Sequence, residues 1–243
     1  MAGRAEFLER IRREVAKTPG LFGAVPAPRP AQPIAAAETI RRELAERWPQ
    51  ALERFRQEFE RVAGVFHRVP SVDAVPSVIA EIARARGARS LITWDPAALG
   101  FDPEPALARE GLTVAVARAG REDETSRRRH REAAAQAQLG VTGADFVLAE
   151  TGTLILLSGA GRPRSTSLLP ETHVAVFGRD RLLETLEQVG VMLEALHVEP
   201  DPPTGGAMIN FITGPSRTAD IELTLTRGVH GPKEVHAVFV EPS

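Results

Sequence analysis

HVAVFGRDRLLETLEQVGVMLEAL, residues 173–196, places a short apolar run closed by a glycine directly before a helix-length segment. It reads as a strand over 173–178 followed by a helix over 179–196, and the same alternation recurs on both sides. Downstream, MINFIT (208–213) and VHAVFV (235–240) are strand-like. Upstream, SLITW (90–94), LTVAVAR (112–118), DFVLA (145–149) and TLILLS (153–158) read the same way, with a helix over 124–140 between the first and second pairs. Strands that are apolar throughout and separated by helices imply a mostly parallel sheet covered on both faces. The expected fold is therefore α/β. Residues 221–226 alternate Ile221, Leu223 and Leu225 with polar neighbours, which favours a strand; a short helix from Thr218 is the competing reading.

The N-terminal third is helical and proline-punctuated. Residues 73–86 form a helix with Asp73 as N-cap, Pro76 in the first turn and Gly87 as the stop. Residues 35–47 and 49–62 read as two helices broken at Trp48-Pro49. Residues 4–17 carry an amphipathic stripe of Phe7, Leu8, Ile11 and Val15. Residues 18–33 then hold five prolines and two glycines, an extended tether. The expected organisation is a helical arm, tether and helices over 1–70 and an α/β domain over 71–243. The arm's stripe must dock, either on its own domain or on a neighbouring subunit, so self-association is one of the expectations.

Composition narrows the function. The chain has 243 residues, 43% hydrophobic and 26% charged, with a net charge of −2. That is an ordinary globular balance without the basic footprint of a nucleic-acid binder. There is no cysteine, which removes disulfides, thiolate metal sites and cysteine-ligated iron–sulfur clusters from this chain. No run reaches the ~18 apolar residues of a membrane span. The charged N-terminus lacks a signal-peptide core, so the expected location is the cytoplasm. Walker A, GxGxxG, GxSxG and HExxH patterns are all missing, so no metal is expected.

Two loops leave strand ends with chemistry-bearing residues. After DFVLA come Glu150, Thr151, Gly152 and Thr153; after MINFIT come Gly214, Pro215, Ser216, Arg217 and Thr218. Ligands of open α/β sheets bind at strand carboxyl ends. Strands running the same way in one sheet would bring both loops to one edge. Glu150 and Asp220 are the candidate acids or bases, and His230 in GVHGP is a candidate proton shuttle. Thr151, Gly152, Thr153, Gly214, Ser216, Arg217 and Thr218 are the candidate binding residues, with Arg217 suited to grip a carboxylate or phosphate. Each loop alone also reads as a plain turn. GAGRPR (159–164) with Ser165-Thr166-Ser167 resembles an anion-binding or mobile loop, and RRRHR (127–131) reads as a solvated helix face.

In combination, GADFVLAETGTLIL, INFITGPSRTADIE and GVHGP resemble the LUD-domain family, in its lactate utilisation protein C branch, from about residue 71 to the C-terminus. The resemblance implies a fold related to the ribose-phosphate isomerase and coenzyme A transferase group. It also implies a role as one component of a bacterial system oxidising L-lactate to pyruvate. Iron–sulfur clusters and cysteine-rich redox motifs then belong to partner subunits, and this chain binds a small anionic ligand or organises the complex. The alternatives are a stand-alone enzyme or binder for a phosphorylated, nucleotide or coenzyme A ligand, and a purely structural assembly subunit.

Overall fold

The computed structural model describes residues 4–16, 30–118, 124–198, 208–219, 225–228 and 230–242. The chain divides into two units, residues 1–31 and 32–243. In the first, α1 spans Arg4–Ala16, and its Leu8 and Ile11 are exposed.

The second unit opens with α2 (Pro33–Arg61), β1 (Val65–Val69), α3 (Val75–Arg86), β2 (Ser90–Trp94), α4 (Pro96–Leu99), α5 (Glu104–Arg109) and β3 (Thr113–Ala117). Next come α6 (Glu124–Gln136), β4 (Leu139–Gly143), β5 (Phe146–Leu148), β6 (Thr153–Leu157), α7 (Ser165–Leu168) and β7 (Thr172–Gly178). A 3-10 turn at Arg179–Arg181 leads into β8 (Leu182–Leu183) and α8 (Leu186–Val198). The remaining strands are β9 (Ile209–Ile212), β10 (Arg217–Ala219), β11 (Leu225–Arg227) and β12 (Glu234–Val240).

Six strands form an all-parallel sheet in the order β1-β12-β7-β4-β2-β3. One face packs Leu91, Val141, Val174, Val176 and Val238 against Val75, Ile79 and Ile82 at and along α3. The other packs Ala175, Phe177, Ala237 and Phe239 against Leu52, Phe55 and Phe59 of α2, with α6 covering β2 through Ile92 and Ala134. The α/β expectation with helices on both faces therefore holds.

β1 stands where no strand is expected, and Asp73 lies in a 3-10 turn before α3 instead of capping it, the N-cap being Ala74. Three further details differ from the sequence reading. First, DFVLA, TLILLS and MINFIT lie outside the parallel sheet, in a second, mixed sheet of order β8-β5-β6-β9. The unbroken apolarity of β5 and β6 has another cause, while β9 keeps Ile209 and Phe211 exposed. Phe146, Leu148, Ile155 and Leu157 pack with α8 and the first half of α2, while Val147, Leu154 and Leu156 face the main core. Both faces of this antiparallel pair are buried, so period-2 alternation is erased.

Second, α2 runs unbroken through Pro49. An interior proline costs about 3 kcal/mol. Burial of Leu44, Leu52, Phe55 and Phe59, at roughly 1.5–3 kcal/mol each, outweighs it. The expected boundary at residue 70 falls just after β1, and the helix before it is part of the core.

Third, the segments around 139 and 179 are reassigned. Residues 139–143 form a central strand rather than the end of a helix, because Gly140 lets the Thr166 carbonyl approach to 1.8 Å from where a Cβ would stand. The helix expected from residue 179 starts at Leu186, after the 3-10 turn and β8. Of the ambiguous segment, Leu225 to Arg227 form a strand paired antiparallel with β10, and residues 221–224 lie outside the described residues.

Candidate functional site

Both suspected loops meet at one end of the small sheet. β6 is antiparallel to β5 and to β9, so β5 and β9 run the same way. Thr153 Oγ1 lies 2.7 Å from Thr151 Oγ1 and 2.8 Å from Thr213 Oγ1, a hydroxyl chain joining the two turns. The hairpin β10–β11 also returns GVHGP to the same place. Ser216 N donates to Pro232 O at 2.9 Å, and Gly228 N donates to Ser216 O at 3.1 Å. His230 is exposed there. Thr218 lies in β10, and Asp220 lies outside the described residues.

The groups in these turns are engaged with the protein. Gly152 has φ +61°, and a Cβ on it would stand 2.3 Å from the amide nitrogen of Phe59. Gly214 has φ +76°, and its Cβ would stand 2.5 Å from Val62 O. Arg217 donates from Nη2 to that same Val62 carbonyl. The left-handed glycines and the arginine thus seat both turns on the C-terminal turn of α2, where helix carbonyls are left without intrahelical partners. Glu150 accepts a hydrogen bond from Leu186 N through Oε1 at 2.6 Å, satisfying an orphan donor at the start of α8.

A crevice opens elsewhere, at the carboxyl edge of the parallel sheet. After β2 the chain turns towards β3, and after β4 it turns the other way, towards β7. The gap between β2 and β4 is therefore the topological switch point, where doubly wound sheets bind ligands. A cavity of about 210 Å³ lies here, lined by Trp94, Gly143, Asp145, Arg162, Gly178 and Arg181 among others.

Asp145 follows β4 and is buried, with 7% exposure. Its Oδ2 accepts from Leu157 N at 2.7 Å and its Oδ1 from an Arg162 Nη1 at 2.6 Å. Arg162 belongs to the GAGRPR loop, which is drawn over the edge by a hydrogen bond from Asp95 N to Gly161 O at 2.9 Å. Its guanidinium also lies 5.6 Å from the centroid of the Trp94 ring. Among the described residues Asp145 is its single side-chain hydrogen-bond partner, so further guanidinium donors remain for a ligand. The loop's sequence reads as an anion-binding or mobile loop. Asp145 and Trp94 do not stand out in the sequence as site residues. Their signal is an isolated acid before an all-apolar strand, and an indole at the carboxyl end of SLITW.

A family model described as the LUD domain matches residues 52–240. The chain belongs to the LUD domain family. It is 39% identical over 70% of its length to the Lactate utilization protein C of Halalkalibacterium halodurans, covering 70% of that protein. It is 32% identical to the protein of the same name from a Geobacillus species, over 66% of each. A solved DUF162 family protein from Deinococcus radiodurans superposes with a TM-score of 0.51 at 19% identity, covering 79% of this chain and 98% of the other, a likeness of fold.

In this LUD-domain chain the buried histidines lie away from the crevice. His67 of β1 and His236 of β12 approach to 3.0 Å through Nε2 and Nδ1. His173 of β7 is fully buried, with Nε2 2.8 Å from Thr142 Oγ1. Burial pushes the His173 pKa down to about 3, helped by His236. Burial, with His67 next to it, pushes His236 down to about 4. Among the described residues no group of three His, Asp or Glu side chains is arranged to hold a metal, and no helix is long and apolar enough to cross a membrane.

Proposed function

We propose that this chain is the non-redox component of a bacterial L-lactate utilisation system and that it holds a small carboxylate in the crevice between β2 and β4. The relatives' name supplies the system. The observation that carries the ligand is Arg162, a cation fixed at the switch point by buried Asp145 and Trp94 with guanidinium donors to spare. A cavity of about 210 Å³ suits a molecule the size of lactate or pyruvate, since drug-sized ligands occupy roughly 300–1,000 Å³. Apolar Leu99 and Phe101 on the same wall suit a methyl group. With no cysteine of its own, the chain leaves thiolate-ligated iron–sulfur clusters to partner subunits. The Glu150–Thr153 and Gly214–Thr218 turns then serve to hold α2 and α8 in place.

Calorimetry with lactate and pyruvate tests this. The wild type binds one or both. The double variant Asp145→Asn/Arg162→Gln, which keeps a neutral hydrogen-bonded pair, loses at least about tenfold in affinity, while Arg217→Ala binds as the wild type does. Absence of binding to the wild type, or equal binding by the double variant, overturns the assignment.

A further inference from the structure

On the far side of Asp180 and Arg181 lies a second cavity, of about 330 Å³, between α2 and the 3-10 turn after β7. Its floor is apolar: Trp48, Phe146 and Leu182 contribute to it. Phe146 and Leu182 are buried, and Trp48 is half-buried with one ring face stacked on Phe239 at 5.6 Å between centroids. Its rim is cationic, formed by Arg41, Arg179 and Arg181 against the single carboxylate of Asp180. Arg181 is paired with Asp180 at 3.0 Å. Arg41 and Arg179 have no acidic partner among the described residues.

Three guanidinium groups against one carboxylate leave this rim two positive charges. A single carboxylate ligand would neutralise half of that. A phosphate monoester carries about −1.5 to −2 at neutral pH and matches it. Arginine also binds phosphate oxygens in a bidentate fashion. The volume lies at the lower end of the usual ligand range of about 300–1,000 Å³, enough for a mononucleotide and short for a dinucleotide. An indole in the floor supplies the flat apolar surface that a nucleobase needs.

We infer that this cavity is a binding site for a nucleoside monophosphate, with the base over the Trp48–Phe146 floor and the phosphate held by Arg41 and Arg179. The site is separate from the carboxylate crevice and shares only the Asp180–Arg181 wall with it. Arg41 and Arg179 are exposed and have no acidic partner among the described residues, so their removal leaves the fold intact.

The test is calorimetry on the full chain with AMP and UMP, against adenosine and inorganic phosphate. The expected result is that at least one monophosphate binds and that adenosine and phosphate bind at least about tenfold more weakly. Arg41→Ala and Arg179→Ala should each weaken monophosphate binding about tenfold or more at unchanged thermal midpoint. Asp145→Asn/Arg162→Gln should retain it, which separates this site from the carboxylate crevice. The inference is overturned if neither monophosphate binds at millimolar concentration, if adenosine binds as well as AMP, or if binding survives loss of both Arg41 and Arg179. Loss of monophosphate binding in Asp145→Asn/Arg162→Gln alone would place the nucleotide in the crevice instead, and equally overturns it.

Discussion

At the scale of single residues, the positions that look most like a site carry the tightest packing. Gly152 and Gly214 combine a left-handed backbone with contact to the end of α2. Gly152→Ala brings a left-handed alanine, about 1–2 kcal/mol, together with a clash against backbone that cannot move away. Its stability in urea should fall by more than about 2 kcal/mol, and a loss well under about 1 kcal/mol would mean that α2 yields there. Asp145→Ala strands Arg162 and should cost about 3–5 kcal/mol, whereas Asp145→Asn/Arg162→Gln should stay close to the wild type. The buried histidines set a pH dependence with a fixed sign. Folding holds His173 and His236 neutral, with pKa values lowered from 6.5 to about 3 and about 4. The unfolded chain takes up those protons below about pH 6.5, so stability is full above that value and falls as the pH drops towards about 4. The slope is roughly 1.4 kcal/mol per pH unit for each histidine. Denaturant midpoints at about pH 7.5 and 5.5 measure it. His173→Gln should flatten the profile, and an unchanged slope in that variant would contradict the assignment.

At the scale of elements, Glu150 tests whether the Glu150–Thr153 turn is a brace or a catalytic wall. Its carboxylate serves the first amide of α8, and loss of a capping acceptor costs about 0.5–2 kcal/mol. Glu150→Ala should lower the thermal midpoint and leave lactate and pyruvate affinities unchanged; a normal midpoint with lost ligand binding would restore Glu150 to a site. Four strands of the main sheet were legible as runs of β-branched and large residues, as in SLITW at β2 and HVAVFG at β7, whereas VFHRV at β1, interrupted by His67 and Arg68, was not. LGVTG at β4 was not, because its two glycines and threonine lack that signal and its place is fixed by α7 packing on Gly140. The continuity of α2 through Pro49 was equally illegible, since the residues that outweigh the proline are buried by strands distant in sequence. The convergence of the two turns followed from strand direction, whereas the return of His230 to them depends on the β10–β11 pairing, which the ambiguous alternation at 221–226 left open. Asp145 and Trp94 did not, because their meeting with Arg162 depends on the order β4-β2-β3, which no local pattern encodes.

At the scale of the whole molecule, the proposed function divides labour between chains. The protein has no thiol to ligate a cluster. The isolated chain should therefore show no L-lactate oxidation with an artificial electron acceptor, and robust turnover in that assay would reject the non-redox role. The central claim is narrower: that the ligand of this chain is a small carboxylate sitting on Arg162 at the switch point of the parallel sheet. A crystal structure of the protein grown with pyruvate measures it directly. Carboxylate density is expected within hydrogen-bonding distance of the Arg162 guanidinium, between Trp94 and Gly178. Density instead at the Thr151–Thr153 and Ser216–Arg217 turns, with the crevice between β2 and β4 left to solvent, would contradict it.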